Sequence, residues 1–191
     1  MPQICYQLFE TEIGVCGVAW TRNGLHCVQL PEGSPGFTER RLLKRGALPS
    51  PWGPPDLVNA CFHKLGDYFQ GHATDFEEVP LDFSAVSRFD AHVYQLLRQT
   101  KFGQTITYGT LAKQAGHAHA ARAVGLAMAR NPWPIVVPCH RVLAASGKLG
   151  GFSAHGGVAL KRKLLRMEGA MQDDKEPALP GLFDDTDRHQ R

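Results

Sequence analysis

The chain has 191 residues, 43% of them hydrophobic, which suits one compact domain or two small ones with a buried core. The sequence contains no long apolar span and no signal peptide, so we expect neither a membrane-spanning nor a secreted protein. The formal net charge of +3 hides an uneven distribution: residues 85–170 hold 12 Lys and Arg against 2 Asp and Glu, whereas residues 1–84 hold 6 against 10 and residues 171–191 hold 3 against 6.

A basic excess confined to one half of a chain is typical of a protein that binds a polyanion. A merely solvated basic face would be expected if the excess were spread over the whole chain. The five cysteines form no CxxC pair and are odd in number, which favours a reducing compartment. We therefore expect a cytoplasmic protein, or a nuclear one if the source is eukaryotic.

The N-terminal part predicts a small α+β unit over residues 1–84. Residues 5–9, 15–20 and 25–30 have the pattern of short strands, and Asn23-Gly24 is a hairpin turn signal. Residues 39–45 predict a short charged helix, and residues 56–69 predict a longer amphipathic one. We find no catalytic constellation here and expect this unit to act as a scaffold.

Residues 85–170 predict a mainly helical unit. Helices are expected at 89–98, at 108–115 with Thr107 as N-cap, and at 118–130 after a glycine-containing turn. The last two match a helix-turn-helix, although a plain helical hairpin gives the same pattern. The third helix carries mostly small side chains, with alanine and glycine at most positions and Arg122 as one of its few long side chains. Such a helix could approach a nucleic-acid duplex closely, or pack tightly against another helix.

The stretch after this helix contains the candidate nucleophile. Residues 135–137, all β-branched, predict a short buried strand that Pro138 terminates. Cys139 and His140 follow directly, and an imidazole is a common means of generating the thiolate that acts as a nucleophile. The alternative is a small buried cysteine beside an unrelated histidine. A basic helix is expected at 161–167, and residues 171–191 have the composition of a disordered acidic tail.

Residues 138–142, Pro-Cys-His-Arg-Val, resemble the signature of the O6-alkylguanine-DNA alkyltransferases, and the similarity extends from about residue 89 to residue 169. The resemblance implies an α+β protein: an N-terminal α/β scaffold domain at 1–84 and a mainly helical alkyltransferase domain with a helix-turn-helix at 85–170. It also implies direct-reversal repair, in which the alkyl group of O6-alkylguanine in double-stranded DNA passes to Cys139. O4-alkylthymine would be a second candidate substrate.

The resemblance assigns roles to individual residues. Those implied in catalysis are Cys139, His140, Glu168 and Asn131, with Glu168 orienting His140. Those implied at the DNA are Arg122, which replaces the flipped base, together with Tyr108, Ala121 and Gly125. Those implied around the guanine are Tyr108, Met128, Val137, Phe152 and Ser153. No dissociable cofactor is expected, and we expect a monomer.

Two other classes of protein are compatible with parts of the sequence. A non-catalytic relative that only binds alkylated DNA would carry another residue at position 139, so Cys139 argues against it. A cysteine hydrolase would use Cys139 and His140, but that class of enzyme does not account for the helix of small residues at 118–130 or for the basic half.

Two further features concern metal and partner binding. Cys5, His26 and Cys27 could suggest zinc, which some members of the resembled family bind in this region. One expected cysteine falls at Thr21, and we find no fourth ligand at residues 81–86, so we predict no metal site. The segment from Leu179 to Phe183 faintly resembles motifs that dock on bacterial sliding clamps, the alternative being an incidental apolar cluster.

Overall fold

A computed structural model describes residues 3–171 of the chain. The predicted acidic tail lies outside the described residues from residue 172 onward, and so does the clamp-like segment from Leu179 to Phe183. No helix in the described range is long and apolar enough to cross a membrane.

The N-terminal half is built on a four-stranded sheet. Strands β1 (Cys5–Thr11), β2 (Gly14–Thr21) and β3 (Gly24–Gln29) run antiparallel, which confirms the three predicted strands and the hairpin turn before β3. A short β4 (Leu48–Pro49), which the sequence did not predict, pairs in parallel with β1, giving the order β3-β2-β1-β4.

Two helices cover the opposite faces of this sheet. Helix α1 (Pro35–Lys44) places Leu42 against Ala19 on one face, and α2 (Asp56–Phe69) packs against the other. The bounds of α2 match the prediction. Helix α1 begins four residues earlier than predicted, because Ser34 accepts a hydrogen bond from the Phe37 amide and Pro35 occupies the first turn.

The described part of the C-terminal half contains four α-helices: α3 (Arg88–Leu97), α4 (Tyr108–Gln114), α5 (Ala121–Ala129) and α6 (Gly157–Met167). Both helices of the predicted pair, α4 and α5, are present, although α5 begins at residue 121 rather than 118. Thr107 caps α4 as predicted, accepting from the Thr110 amide at 3.1 Å. Helix α6 begins four residues before its predicted start.

The predicted strand at residues 135–137 is wrong. These residues form a turn closed by a bridge between Pro134 and Val137, and Ile135 has a left-handed backbone with φ of 75°. The flanking prolines provide no amide for a ladder, and Asn131 instead bonds the backbone of Trp133 and Val137. The three residues are buried because the turn is inserted into the core, not because it joins a sheet.

The two halves share one hydrophobic core. Buried residues of β2, β3 and α2 belong to the same cluster as those of α3, α5 and the turn around Trp133. The Trp133 indole donates to the Leu25 carbonyl at 2.8 Å, and the Val28 amide donates to the Pro132 carbonyl at 2.9 Å. The segment that leads to Cys139 is therefore held by a strand of the N-terminal half.

Candidate active site

Cys139 begins a single 3₁₀ turn, Cys139–Arg141, directly after the inserted loop. Two short parallel strands, β5 (Ile106–Thr107) and β6 (Val142–Leu143), join the start of α4 to the exit of this turn. This ladder brings Tyr108, the first residue of α4, to the same cavity as Cys139.

Asn131 fixes the other side of the turn. Its amide nitrogen donates to the Val137 carbonyl at 2.8 Å, and its oxygen accepts from the Trp133 amide at 3.0 Å. Asn131 thus joins the end of α5 to the backbone just before Cys139. The residue predicted to act in catalysis has a geometric role here, since it holds the loop that carries the nucleophile.

Behind the turn, Glu168 lies at the centre of a buried polar cluster. Its Oε1 accepts from the Tyr68 hydroxyl at 2.6 Å, lies 2.7 Å from His140 Nε2 and accepts from Arg141 Nη2 at 3.0 Å. Its Oε2 accepts from Arg141 Nε at 2.8 Å and from the Gly103 amide at 3.2 Å. The sequence paired Glu168 with His140, and the structure brings these two side chains into direct contact.

The cluster sets the protonation states of its members. Burial alone would raise the pKa of Glu168, but hydrogen bonds from His140 and Arg141, the charge of Arg141 and that of His140 in its protonated form lower it to about 2. Burial lowers the pKa of His140, against the opposing effect of Glu168. Because Arg141 already neutralises the carboxylate, we take His140 to be neutral in the resting protein.

The tautomer of this neutral histidine follows from its partners. Nε2 faces the Glu168 carboxylate, which can only accept, so Nε2 carries the proton. Nδ1 is buried and has no protein partner within the described part of the chain. Nδ1 is therefore the atom available to accept a proton.

The thiol of Cys139 lies in an environment with opposing effects. Burial raises its pKa, while a hydrogen bond with Asn131 and the charge of Lys161 act in the opposite direction. Lys161 is fully buried in α6 and donates from Nζ to the Val142 carbonyl at 2.6 Å. Burial lowers the pKa of Lys161 to about 8, so it still carries most of its charge at neutral pH.

Cys139 forms part of the wall of a cavity of about 330 Å³. The cavity is lined by residues of α4, α5, the active-site turn and the following loop, namely Tyr108, Gly125, Met128, Ala129, Cys139, Gly151, Phe152 and Ser153. Burial and proximity to Cys139 raise the pKa of Tyr108, so its hydroxyl remains a donor at neutral pH. A flat aromatic ligand with polar edges fits such a lining.

A second groove of about 250 Å³ begins at the same cysteine and extends toward the N-terminal half. Phe152 and Ser153 line both cavities, so the two meet at Cys139. The groove is lined by three arginines, Arg41, Arg45 and Arg130, and by Glu32.

The surface of the C-terminal half is basic. Nine basic residues of the C-terminal half are exposed: Arg88, Lys101, Lys113, Arg122, Arg130, Lys148, Arg162, Lys163 and Arg166. Arg122 is the second residue of α5, next to the half-buried Ala121, and Gly125 one turn later reaches the cavity wall. Helix α5 thus carries both the exposed Arg122 and a residue that lines the cavity, Gly125.

Two predicted features are placed differently from the rest. The Val137 side chain is fully buried and is not among the residues that line either cavity, so only its carbonyl, through Asn131, contributes to the site. In the region considered for zinc, the Thr21 hydroxyl donates to Asp82 at 2.6 Å. Among the described residues, no group of three or more His, Cys, Asp and Glu is placed to hold a metal ion.

Three functional neighbours were missed by the sequence reasoning. Arg141 follows the Cys-His pair directly, yet nothing local indicates that it pairs with Glu168. Lys161 occupies the buried face of α6 with Leu164 and Leu165, and a lysine at this spacing was a signal that could have been noticed. Tyr68 comes from α2 of the N-terminal half and has no sequence signal beyond an ordinary amphipathic helix.

Comparisons with known proteins match both halves of the chain. Residues 4–83 match the family model described as 6-O-methylguanine DNA methyltransferase, ribonuclease-like domain, and residues 88–170 match 6-O-methylguanine DNA methyltransferase, DNA binding domain. A methylated-DNA–protein-cysteine methyltransferase of Metallosphaera sedula is 46% identical over 155 residues, covering 68% of this chain and 96% of that protein. One of Mycobacterium tuberculosis is 41% identical over 151 residues, covering 78% and 87%.

The solved structures that are similar to this chain agree with the family models. The crystal structure of Mycobacterium tuberculosis OGT in complex with DNA is similar to this chain with a TM-score of 0.68 and 34% identity, covering 86% of this chain and 93% of that one. The fold class predicted from the sequence, α+β with a helical DNA-binding half, is thereby confirmed.

Proposed function

Because the chain belongs to the 6-O-methylguanine DNA methyltransferase family, we propose that it repairs DNA by transferring the alkyl group of O6-alkylguanine to its own Cys139. The observation that carries this assignment is the position of Cys139, at the junction of the cavity and the basic groove and one residue before the buried His140.

The guanine would occupy the cavity between Tyr108, Met128 and Phe152. A stacked and paired guanine cannot present its O6 substituent to a thiolate in line, so the nucleotide must leave the duplex. Arg122, exposed at the start of α5, would fill the space in the base stack. Other exposed basic residues would hold the phosphates, largely without regard to sequence.

The alkyl transfer is a displacement at carbon. The Cys139 sulfur forms a bond to the alkyl carbon as the bond from that carbon to O6 breaks. The thiol proton passes to His140 Nδ1, directly or through a water molecule, while Glu168 holds the ring by Nε2. The Tyr108 hydroxyl would donate a hydrogen bond to the guanine as the bond from O6 to the alkyl carbon breaks. The guanine takes up one proton, which balances the proton lost by the Cys139 thiol, and remains in the DNA strand as an unmodified neutral base.

The product is a thioether on Cys139. Water does not readily cleave a thioether, so each molecule should react once, and repair should be stoichiometric. The groove beyond Cys139 has space for substituents larger than methyl, so O6-benzylguanine should also react.

Intact-protein mass spectrometry tests the assignment. After incubation with a duplex containing O6-methylguanine, the wild type should gain the mass of one methyl group, located on Cys139 by peptide mapping. Cys139→Ser should gain none, while the matched control Cys5→Ser should react like the wild type. Transfer by Cys139→Ser, or multiple turnovers by the wild type, would contradict the proposal.

Three finer points complete the proposal. The protein would act as a monomer, in the cytoplasm or, in a eukaryote, in the nucleus. O4-alkylthymine would be a second substrate.

The segment from Leu179 to Phe183 would contact a sliding clamp, a proposal that rests on its sequence alone. Deleting residues 179–183 should abolish binding to a purified clamp without changing the rate of transfer to Cys139.

A further inference from the structure

The N-terminal half contributes a polar side chain to the buried cluster behind Cys139. Tyr68 lies near the end of α2 and is fully buried. Its hydroxyl is 2.6 Å from Glu168 Oε1 and 3.1 Å from His140 Nε2. The hydroxyl, the carboxylate and the imidazole thus form a closed triangle, one corner of which comes from the other half of the molecule.

Donors and acceptors can be assigned to the three hydrogen bonds of this triangle in only one way. The phenol has a single proton, and the short bond to the ionised carboxylate uses it. The phenol oxygen can then only accept from His140 Nε2. Both groups that face Nε2 are therefore acceptors, which fixes the proton on Nε2 and leaves Nδ1 as the base.

Packing does not explain the hydroxyl. The Tyr68 ring makes edge contacts with Phe69, Phe76 and Phe102, and a phenylalanine would make the same contacts. A buried phenol requires a partner, and the partners here are the two members of the proton-accepting pair. Burial and the charge of Glu168 raise the pKa of Tyr68 well above its ordinary value, so the hydroxyl keeps its proton at neutral pH.

The charges that surround His140 make the contact with Tyr68 important for the protonation of the imidazole. Arg141 and Lys161 both disfavour an imidazolium, and Glu168 favours one. As His140 accepts the thiol proton, its growing charge can be stabilised by Glu168 Oε1 and by the Tyr68 oxygen.

We propose that Tyr68 is a positioning residue for alkyl transfer, contributed by the N-terminal half, which accepts from His140 Nε2 beside Glu168 and so holds the imidazole ring in alignment with that carboxylate. This inference rests on the proposed function. It changes the expectation that residues 1–84 act only as a scaffold, because the base of the reaction is held by a side chain from that half.

The kinetic test compares Tyr68→Phe with Tyr6→Phe. Tyr6 is a matched control: it is also buried in the N-terminal half, and its hydroxyl also donates to a carboxylate, Glu39, at 2.5 Å. Single-turnover rates would be measured with free O6-benzylguanine and with an O6-methylguanine duplex from pH 6 to pH 9, beside DNA titrations at fixed salt.

Tyr68→Phe should slow both substrates by the same factor, roughly tenfold to a hundredfold near pH 7, the range for loss of a hydrogen bond to a charged group. The deficit should shrink as pH rises, because direct ionisation of Cys139 then supplies thiolate. DNA affinity and the rates of Tyr6→Phe should not change. A Tyr68→Phe profile equal to that of Tyr6→Phe, or a deficit that does not depend on pH, would overturn the inference.

A spectroscopic readout is independent of activity. In the wild type, the ¹⁵N shifts of the His140 ring should show a protonated Nε2 and an unprotonated Nδ1, and in Tyr68→Phe the Nε2 resonance should move, because its proton keeps only one of its two acceptors. If Tyr68→Phe does not fold, 3-fluorotyrosine at position 68 keeps the ring and weakens the acceptor, and a smaller movement of the same resonance is expected. Unaltered shifts refute the inference about Tyr68, whereas a wild type that gains no methyl group refutes the function itself.

Discussion

Glu168 accepts five hydrogen bonds, two of them from the buried guanidinium of Arg141. The same carboxylate therefore serves two purposes: it contacts His140, the proposed base, and it neutralises the buried cation of Arg141. Substitutions at this position should change stability as well as rate.

We expect Glu168→Gln to destabilise the fold by about 3 kcal/mol, since a buried cation loses its partner. The pKa of Glu168 is lowered to about 2 in the folded protein, so its contribution is complete above the unfolded pKa near 4.5 and is lost as pH falls toward 2. Urea unfolding from pH 7 to pH 3 should show wild-type stability approaching that of the variant. Glu77→Gln, which breaks an exposed pair with Lys101, should cost far less. Equal costs would contradict this account.

Lys161 gives a second prediction for a single residue. In Lys161→Met, the thiol of Cys139 loses a favourable charge, so alkyl transfer at pH 7 should slow several-fold as the thiol pKa rises. Because burial lowers the pKa of Lys161 to about 8, the wild type loses this charge above that pH, and the two rates should converge. Rates of benzylguanine reaction against pH measure the effect.

Lys163→Met is the control for Lys161, because it removes an exposed lysine from the same helix. It should leave the pH profile unchanged. A Lys161→Met profile that runs parallel to the wild type at every pH would show that Lys161 acts only through its bond to the Val142 carbonyl.

Helix α5 combines two surfaces in nine residues. One face is buried through Val124, Ala127 and Met128, and its opposite face presents Arg122 and Leu126 to solvent. The small residues between them let the helix approach a duplex while Gly125 and Met128 line the cavity. The exposed face should therefore serve extrusion of the base, and the inner face its binding.

Arg122→Ala should lower repair of duplex DNA much more than reaction with free O6-benzylguanine. The free base needs no extrusion, and loss of the side chain should cost a few kcal/mol, about the energy of unstacking a base. Arg162→Ala, which removes an exposed charge from α6, should affect DNA binding only through salt-dependent contacts. Equal losses on the two substrates would assign Arg122 to the chemistry or to the fold.

Over the whole molecule, the shared core predicts a single unfolding transition. Trp20 of the N-terminal half and Trp133 of the C-terminal half belong to the same buried cluster, and Trp133 also bonds the Leu25 carbonyl. Neither half could unfold without exposing the apolar surface of the other. Urea curves followed by far-UV circular dichroism and by tryptophan fluorescence should coincide. Two separate transitions would show that the halves are independent.

The sequence determined the features that depend on local chemistry. Strand and helix periodicity, the Asn23-Gly24 turn and the Thr107 cap are short-range signals, so the first three strands, α2 and α4 were predicted close to their bounds, whereas α1 and α6 each begin four residues earlier than predicted. The basic half and the Cys139-His140 pair are also readable directly. Local signals failed at residues 135–137, where an apolar run looks the same in a buried strand and in a turn inserted into a core.

Only the tertiary structure decided which distant side chains meet. Tyr68 and Glu168 are separated by 100 residues, and Arg141 and Glu168 by 27. Their contacts depend on how α2 and α6 pack on the shared core, and no periodicity in either segment records that packing. The sequence therefore indicated the candidate nucleophile and its neighbouring histidine, while the fold determined that a buried arginine balances the carboxylate and that a tyrosine from the N-terminal half contacts the histidine.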